Sequence, residues 1–272
     1  MALTLSYFGQ TTVPVEIEGL TPDWARDKSP AEIERFEIFH GNRKVPLAEM
    51  FQVSGDGGDG RFDFTGDVSG VHWIGAHMGQ GEIHIHGSAG RHLGSEMTGG
   101  AIHVAGDASD WVGGEMHGGL IHVRGRAGHL VGAAYRGSRR GMTGGMVLIG
   151  GDAGNEVGHT MRRGWIAVGG QAADMLAFNM IAGSVFVFGG CGIRPGAGLR
   201  RGTIALLGGE VPALLPSFRY ACRMRPLFLR PMLRELSQAG FAFDASLRTA
   251  ELALYGGDFV ALGRGEIWRK EN

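Results

Sequence analysis

Met97-Thr98-Gly99-Gly100-Ala101-Ile102-His103-Val104-Ala105-Gly106 is followed by Met116-His117-Gly118-Gly119-Leu120-Ile121-His122-Val123-Arg124-Gly125, the same phrase 19 residues further on. Apolar residues alternate with others inside each phrase, the pattern of a strand that buries one face. Working outward, the glycine that closes the run recurs as Gly66, Gly87, Gly106, Gly125, Gly151, Gly170, Gly190 and Gly209, with gaps of 21, 19, 19, 26, 19, 20 and 19. The residue that opens it recurs as Met78, Met97, Met116, Met142, Met161, Met180 and Leu199, with gaps of 19, 19, 26, 19, 19 and 19. Both columns place one seven-residue insertion in the same repeat. They predict a mainly β fold: a parallel β-solenoid over residues 55–210, with a period of about 19 residues and about eight coils. Each coil reads as a short strand, a glycine turn, a second short strand and another turn.

The columns also assign faces. Two positions before the closing glycine stand Phe64, Ile85, Val104, Val123, Ile149, Val168, Phe188 and Leu207. Four before it stand Phe62, Ile83, Ile102, Ile121, Val147, Ile166, Phe186 and Ala205. Both sets are expected to point inward, and the methionine column is expected to be core packing. Three before the glycine, on the outer face, stand His84, His103 and His122, then Leu148, Ala167, Val187 and Leu206. The apolar half of that outer column would be an exposed patch unless it is covered by the C-terminal segment or by another subunit.

The chain has 272 residues, 43% of them hydrophobic, and a net charge of −1. That balance argues against nucleic acid or an anionic membrane as partner. Of the 50 glycines, 42 fall between Gly55 and Gly209, which divides the chain into three. Residues 1–54 are expected to form an N-terminal α/β cap, with strands at Pro14–Ile17 and Phe36–Phe39 and a helix starting at N-cap Ser29 and Pro30. Residues 211–272 are expected to form a C-terminal cap, with a helix from Pro231 to Leu236 and strands at Phe241–Asp244, Glu251–Tyr255, Phe259–Ala261 and Gly265–Trp268. The start at Met1–Tyr7 reads as no signal peptide, no window reaches 18 apolar residues, and Cys191 and Cys222 read as free thiols, so the expected location is cytoplasmic.

Candidate chemistry is sparse. The three stacked histidines could in principle hold zinc, but a solvated or partner-facing stripe is the expected reading, and no metal site is assigned. Asp107, Asp152 and Glu210 share one turn position, interrupted by Arg126, Gln171 and Cys191, so no acid cluster of a polysaccharide-cleaving enzyme results. Glycine pairs such as Gly144-Gly145 lack the Lys-Ser/Thr of a P-loop. No catalytic residue is assigned. The specific site is expected in the insertion, Ala133–Gly141, where Tyr135, Arg136, Arg139 and Arg140 could hold a carboxylate or phosphate, or face another subunit.

The turns Met97–Ile102, Met116–Ile121 and Met142–Val147 resemble the GXGXG right-handed β-helix, which ends the large subunit of glutamate synthase and also forms the C subunit of formylmethanofuran dehydrogenase. The second likeness extends over nearly the whole chain. Ser29–Ile33, Gly41-Asn42, Leu47–Phe51, the insertion Tyr135–Met142, and the ending Tyr255–Asp258 with Gly263–Ile267 are all similar to that subunit. The resemblance implies a right-handed helix and a non-catalytic scaffold subunit. Arginine-rich composition, with lysine only at Lys28, Lys44 and Lys270, tilts the reading toward the bacterial branch of the family. That branch is a formyltransferase/hydrolase complex of methylotrophs, which moves formyl from formyl-tetrahydromethanopterin to a methanofuran-type carrier and hydrolyses it to formate in one-carbon oxidation. The resemblance implies as partners an amidohydrolase-like hydrolase subunit that holds the metal, a formyltransferase subunit and a further subunit; this chain alone would bind no cofactor. It also implies that Arg136, Arg139 and Arg140 meet the acidic tail of the carrier or a neighbouring subunit's acidic surface. The alternatives are the C subunit of an archaeal tungsten or molybdenum formylmethanofuran dehydrogenase, an autonomous β-helix enzyme, and a glutamate-synthase-type structural domain.

Overall fold

The computed structural model describes residues 2–271. The N-terminal segment contains β1 (Leu3–Tyr7), β2 (Val15–Glu16), α1 (Pro22–Ala25), α2 (Pro30–Glu34), β3 (Glu37–His40), β4 (Arg43–Pro46) and β5 (Phe51–Ser54). The glycine-rich centre supplies β6 (Arg61–Thr65), β7 (Val71–His72), β8 (Glu82–Ile85), β9 (Ala101–Val104), β10 (Leu120–Val123), β11 (Met146–Ile149), β12 (Trp165–Val168), β13 (Ser184–Val187) and β14 (Arg201–Leu206). The C-terminal segment adds β15 (Arg219–Met224), α3 (Leu229–Gln238), β16 (Leu252–Gly257) and β17 (Arg264–Arg269).

One 13-stranded, mostly parallel sheet runs the length of the molecule, in the order β15-β16-β17-β14-β13-β12-β11-β10-β9-β8-β6-β1-β5. From β8 to β14 each strand pairs in parallel with the strand of the next repeat. The expected second strand of each repeat is only a bridge, through Ala89, Ala108, Ala127, Ala153, Ala172 and Cys191. Small residues stand there because the chain is turning and has one residue, not four, in ladder geometry.

Three devices hold successive repeats in register. Met78, Met97, Met116, Met142, Met161, Met180 and Leu199 are all fully buried, as a packing column should be. Glycines such as Gly94 and Gly113 adopt positive φ (60° and 63°) and donate to the preceding repeat at Ile74 O and Leu93 O, both conditions that favour a residue without Cβ. Side chains also accept from backbone N–H groups one repeat on: Asp107 from Arg126 (2.7 Å), Asp110 from His129 (2.8 Å), Asp152 from Gln171 (2.9 Å) and Asp174 from Ile193 (2.9 Å). Asp107 and Asp152 are thereby turn acceptors. Cys191 belongs to the alanine row, paired with Ala172, and not to the acidic turn position expected for it.

The register corrects the expected faces in the last two repeats. Ala167 pairs with Phe186 and Phe186 with Ala205, so the outer column is His84, His103, His122, Leu148, Ala167, Phe186 and Ala205. Val187 and Leu206, expected outside, continue the inner column after Val168, while Val185 and Ile204 follow Ile166. Phe188 and Leu207 leave the inner column for the same reason. Gly189, not Gly190, stacks on Gly170, donating to its carbonyl at 3.0 Å. The sequence offers a glycine pair there, and taking the wrong member shifts the reading by one residue, which in a strand reverses every face.

The outer Leu148, Ala167, Phe186 and Ala205 are covered by the C-terminal segment. Leu229, Leu233 and Leu236 lie on one face of α3 and are buried with Phe241, Leu247 and Trp268 over that column, the i, i+4, i+7 stripe of an amphipathic helix. The 3-10 helix Ala245–Thr249 follows, so Phe241–Asp244 is a packed connection and not the expected strand. Phe259–Ala261 is likewise a turn, with Val260 exposed. β15 and β1 were not expected. Strand β1 pairs with β6 in parallel and β5 antiparallel, adding rungs to the first end of the sheet. At the other end β17 extends β14, with Ile267 beside Ile204. Helix α2 starts as expected: Ser29 N–H donates to the Glu32 carboxylate at 2.9 Å.

Candidate functional site

The insertion interrupts one repeat and leaves the stack intact. Ala134 N–H donates to His159 O (3.3 Å) on the way out, and Gly141 N–H to Thr160 O (3.1 Å) on the way back. Between them Ser138 N–H donates to Tyr135 O (3.0 Å), closing a turn with Gly137 at φ 88° in its third position, where positive φ calls for glycine.

The four residues expected to form one site part company. Tyr135 turns inward. Its N–H donates to Glu115 Oε1 (2.8 Å), and its ring lies 5.2 Å from Trp111, 5.7 Å from His92 and 6.3 Å from Trp73. Trp73 and His92 stack with centroids 4.0 Å apart and planes 3° from parallel. Burial pushes the Tyr135 phenol up to about 12, opposed by the nearby Ser95 side chain; its Oη is enclosed without a hydrogen bond of good geometry. Burial also lowers the His92 imidazole to about 4, so it is neutral near pH 7. Arg136, Arg139 and Arg140 are exposed. Arg139 and Arg140 line a cleft of about 380 Å³ with Glu115, His117, Ser138 and Thr143; Arg136 is not among its lining residues. His117 and Thr143 hydrogen bond there at 2.6 Å.

The aromatic stack was missed in the sequence. Trp73, His92 and Trp111 recur at intervals of 19, and all three adopt positive φ (63°, 59° and 66°), so the spacing that revealed the methionines would have revealed them. An arginine-lined cleft of about 400 Å³, walled by Arg162, Arg163, Trp165, Ser184 and Arg201, was missed as well.

The histidine stripe is half-buried. His84 and His103 ring centroids are 5.0 Å apart, and those of His103 and His122 are 6.4 Å apart. Burial lowers the pKa of His103 and His122, with the neighbouring histidine adding to the effect. His103 and His122 form one wall of a cleft of about 450 Å³ whose other wall is Ala239–Ala242, just past α3. Among the described residues no three His, Cys, Asp or Glu side chains converge as a metal-binding set. Cys191 and Cys222 are free thiols, and burial pushes the Cys191 thiol up to about 11. No helix among the described residues is long and apolar enough to cross a membrane.

No protein-family model matches the chain. Among curated proteins it is similar to the C subunit of the molybdenum-containing formylmethanofuran dehydrogenase 1 of Methanosarcina barkeri, 38% identical over 85 residues, covering 30% of this chain and 28% of that one. It is also similar to the C subunit of the tungsten-containing formylmethanofuran dehydrogenase 2 of Methanothermobacter wolfeii, 39% identical over 83 residues, covering 29% and 31%. The chain thus spans about three tenths of the length of these relatives. The likeness to a solved structure is far more extensive. A chain of the formyltransferase/hydrolase complex (FhcABCD) from Methylorubrum extorquens, crystallised in complex with methylofuran, superposes with a TM-score of 0.90 at 32% identity, over 99% of this chain and 100% of that one. With a matching fold over the full length and sequence likeness to the dehydrogenase subunits, the chain belongs to the family formed by the C subunits of the formyltransferase/hydrolase complex and of formylmethanofuran dehydrogenase.

Proposed function

We propose that the chain is a non-catalytic scaffold subunit of a complex that transfers formyl from formyl-tetrahydromethanopterin to a methanofuran-type carrier and hydrolyses it to formate. The observation that carries this reading is the end-to-end likeness to a chain of the methylofuran-bound formyltransferase/hydrolase complex. The side chains favour a scaffold: the repeat spends its interior on packing, its aspartates on turn hydrogen bonds, and its outer apolar column on α3. We read the stack as a right-handed parallel β-helix of about eight coils, with residues 1–54 and 211–272 as end caps. The metal of the complex belongs in this reading to the hydrolase subunit, since the half-buried histidines here sit as a row rather than a converging set.

The same reading gives the insertion a role. Arg136, Arg139 and Arg140 are exposed cations on the loop that departs from the repeat, and they meet either the acidic tail of the carrier or an acidic surface of a neighbouring subunit. Tyr135 anchors that loop from below through its ring contacts. The archaeal dehydrogenase is the second reading, favoured by the sequence likeness to molybdenum and tungsten enzymes.

Co-expression of the complex with and without this chain tests the role. Loss of assembly, with the separated hydrolase subunit still hydrolysing a simple formyl amide, is expected. A complex that assembles and turns over normally without the chain rejects it. Replacing Arg136, Arg139 and Arg140 together by alanine should weaken assembly or carrier retention; unchanged assembly, carrier content and turnover would sink the loop's role.

A further inference from the structure

The residues that follow the methionine column form one edge of the stack. Thr143, Arg162, Ile181 and Arg200 each donate a backbone N–H to a methionine carbonyl of the preceding repeat, at 2.7, 2.8, 2.8 and 2.9 Å, so they are aligned along the axis. The next position is glycine in three successive repeats, at Gly99, Gly118 and Gly144. A Cβ there would meet a carbonyl oxygen of the previous repeat (Gly79, Thr98 or His117) at 2.2–2.3 Å. In those repeats the stack itself therefore selects against any side chain at this position. The last three repeats depart from that preference with Arg163, Ala182 and Arg201, so two of them place a long cationic side chain there. With Arg162 and Arg200 beside them, and Arg139 and Arg140 where the insertion rejoins the stack, six arginines share one edge.

None of the six forms an ion pair or side-chain hydrogen bond among the described residues. The cleft between Arg162, Arg163 and Arg201 has Trp165 and Ser184 on its walls and no acidic residue. The ion pairs that arginines do form lie elsewhere, at Arg61–Asp63 (2.9 Å), Arg225–Glu251 (3.5 Å), Arg91–Asp110 (3.8 Å) and Arg126–Asp152 (3.9 Å). The net charge of −1 makes this a local concentration and not a general basicity.

We infer that this edge is a docking surface for an acidic protein segment of a partner chain. Repeats are spaced about 4.8 Å apart, so the row from Thr143 to Arg200 covers about 14 Å. One carboxylate or phosphate reaches one or two guanidinium groups of such a row; a series of carboxylates on an extended or helical segment matches it throughout. A nucleic acid is the poorer match. It would need aromatic platforms interleaved with the cations, and the cleft offers the single indole of Trp165, on a chain whose overall charge gives no long-range attraction. The inference rests on Arg162, Arg163, Arg200 and Arg201, which lie outside the insertion, and holds whichever reaction the assembly carries out.

The test uses the full chain in the assembled complex. Arg162, Arg163 and Arg201 are replaced together by Gln in one variant and by Glu in another, and retention of partner chains is followed by size-exclusion chromatography at low and high salt. Wild-type retention should weaken with salt; the Gln variant should retain less partner than wild type, and the Glu variant less still, by about tenfold or more at low salt. Thermal melts of the isolated chains should coincide. If the Glu variant does not fold, the Gln variant carries the test. Full partner retention in the Gln variant overturns the inference, as does binding of a short single-stranded DNA by the wild-type chain more tightly than a poly-L-aspartate peptide of equal charge.

Discussion

The Met97 side chain occupies the space that a side chain on Gly119 would need: a Cβ built on Gly119 would meet Met97 Cε at 2.7 Å and Gly100 O at 2.7 Å. Gly119 also has φ of 90°, and the same pairing joins Met78 to Gly100, Met116 to Gly145 and Met142 to Gly164. The methionine column and the glycine row Gly100, Gly119, Gly145 and Gly164 are thus two halves of one contact. Gly119→Ala should destabilise by about 2–4 kcal/mol, through strain and overpacking together. Met97→Ala should cost about 2–5 kcal/mol by leaving a cavity. Because the shorter side chain relieves one of the two clashes, the double variant should lose less than the sum in urea unfolding.

Helix α3 covers the outer apolar column through Leu229, Leu233 and Leu236, all essentially inaccessible. Leu233→Ala should cost about 2–5 kcal/mol, and Leu233→Asp more, since a carboxylate would be buried without a partner. The Asp variant should bind a hydrophobic dye over the exposed Leu148 to Ala205 column and be cut by protease within residues 225–250.

Stability should fall on acidification through the aromatic stack. His92 has its pKa lowered to about 4 by burial, from an ordinary value of 6.5. Between those values the unfolded chain binds a proton that the folded chain does not, so unfolding becomes easier as pH drops through the window. His103 and His122, lowered for the same reason, act in the same direction. His92→Leu should flatten the change in urea midpoint between pH 7 and pH 5; an equally steep fall in that variant would show that His92 is not responsible.

The Tyr135 ring matters more than its hydroxyl. Its Oη is enclosed without a well-formed hydrogen bond, so Tyr135→Phe should change stability by less than about 0.5 kcal/mol. Tyr135→Ala removes ring contacts with Trp111 and His92 and should cost about 2–4 kcal/mol in urea unfolding. It should also free the loop, raising amide exchange at Arg136–Arg140.

Much of this molecule is legible in its sequence because stacking repeats the same physical demand every 19 residues. Methionine depth, glycine turns and the position of the insertion follow from column counting, and the capped start of α2 from Ser29, Pro30 and Glu32. The faces of the last two repeats do not, because Gly189-Gly190 offers two candidates for one column and only the hydrogen bond from Gly189 to Gly170 selects between them. The sequence names the C-terminal segment or another subunit as the cover of the outer column; that α3 is the cover is long-range packing, which no local pattern decides. The inward turn of Tyr135 depends on Trp73, His92 and Trp111 being brought together from separate repeats, so residues adjacent in the chain were expected to act jointly when they point apart.

The central claim is that the chain works as one subunit of a formyl-transferring assembly. The most direct measurement is to tag the chain, purify the native complex under mild conditions, identify its components by mass spectrometry and assay release of formate from formyl-tetrahydromethanopterin. Three further kinds of subunit, and formate release by the assembly, are the predicted result. A chain that purifies alone, or one that releases formate without partners, would contradict it.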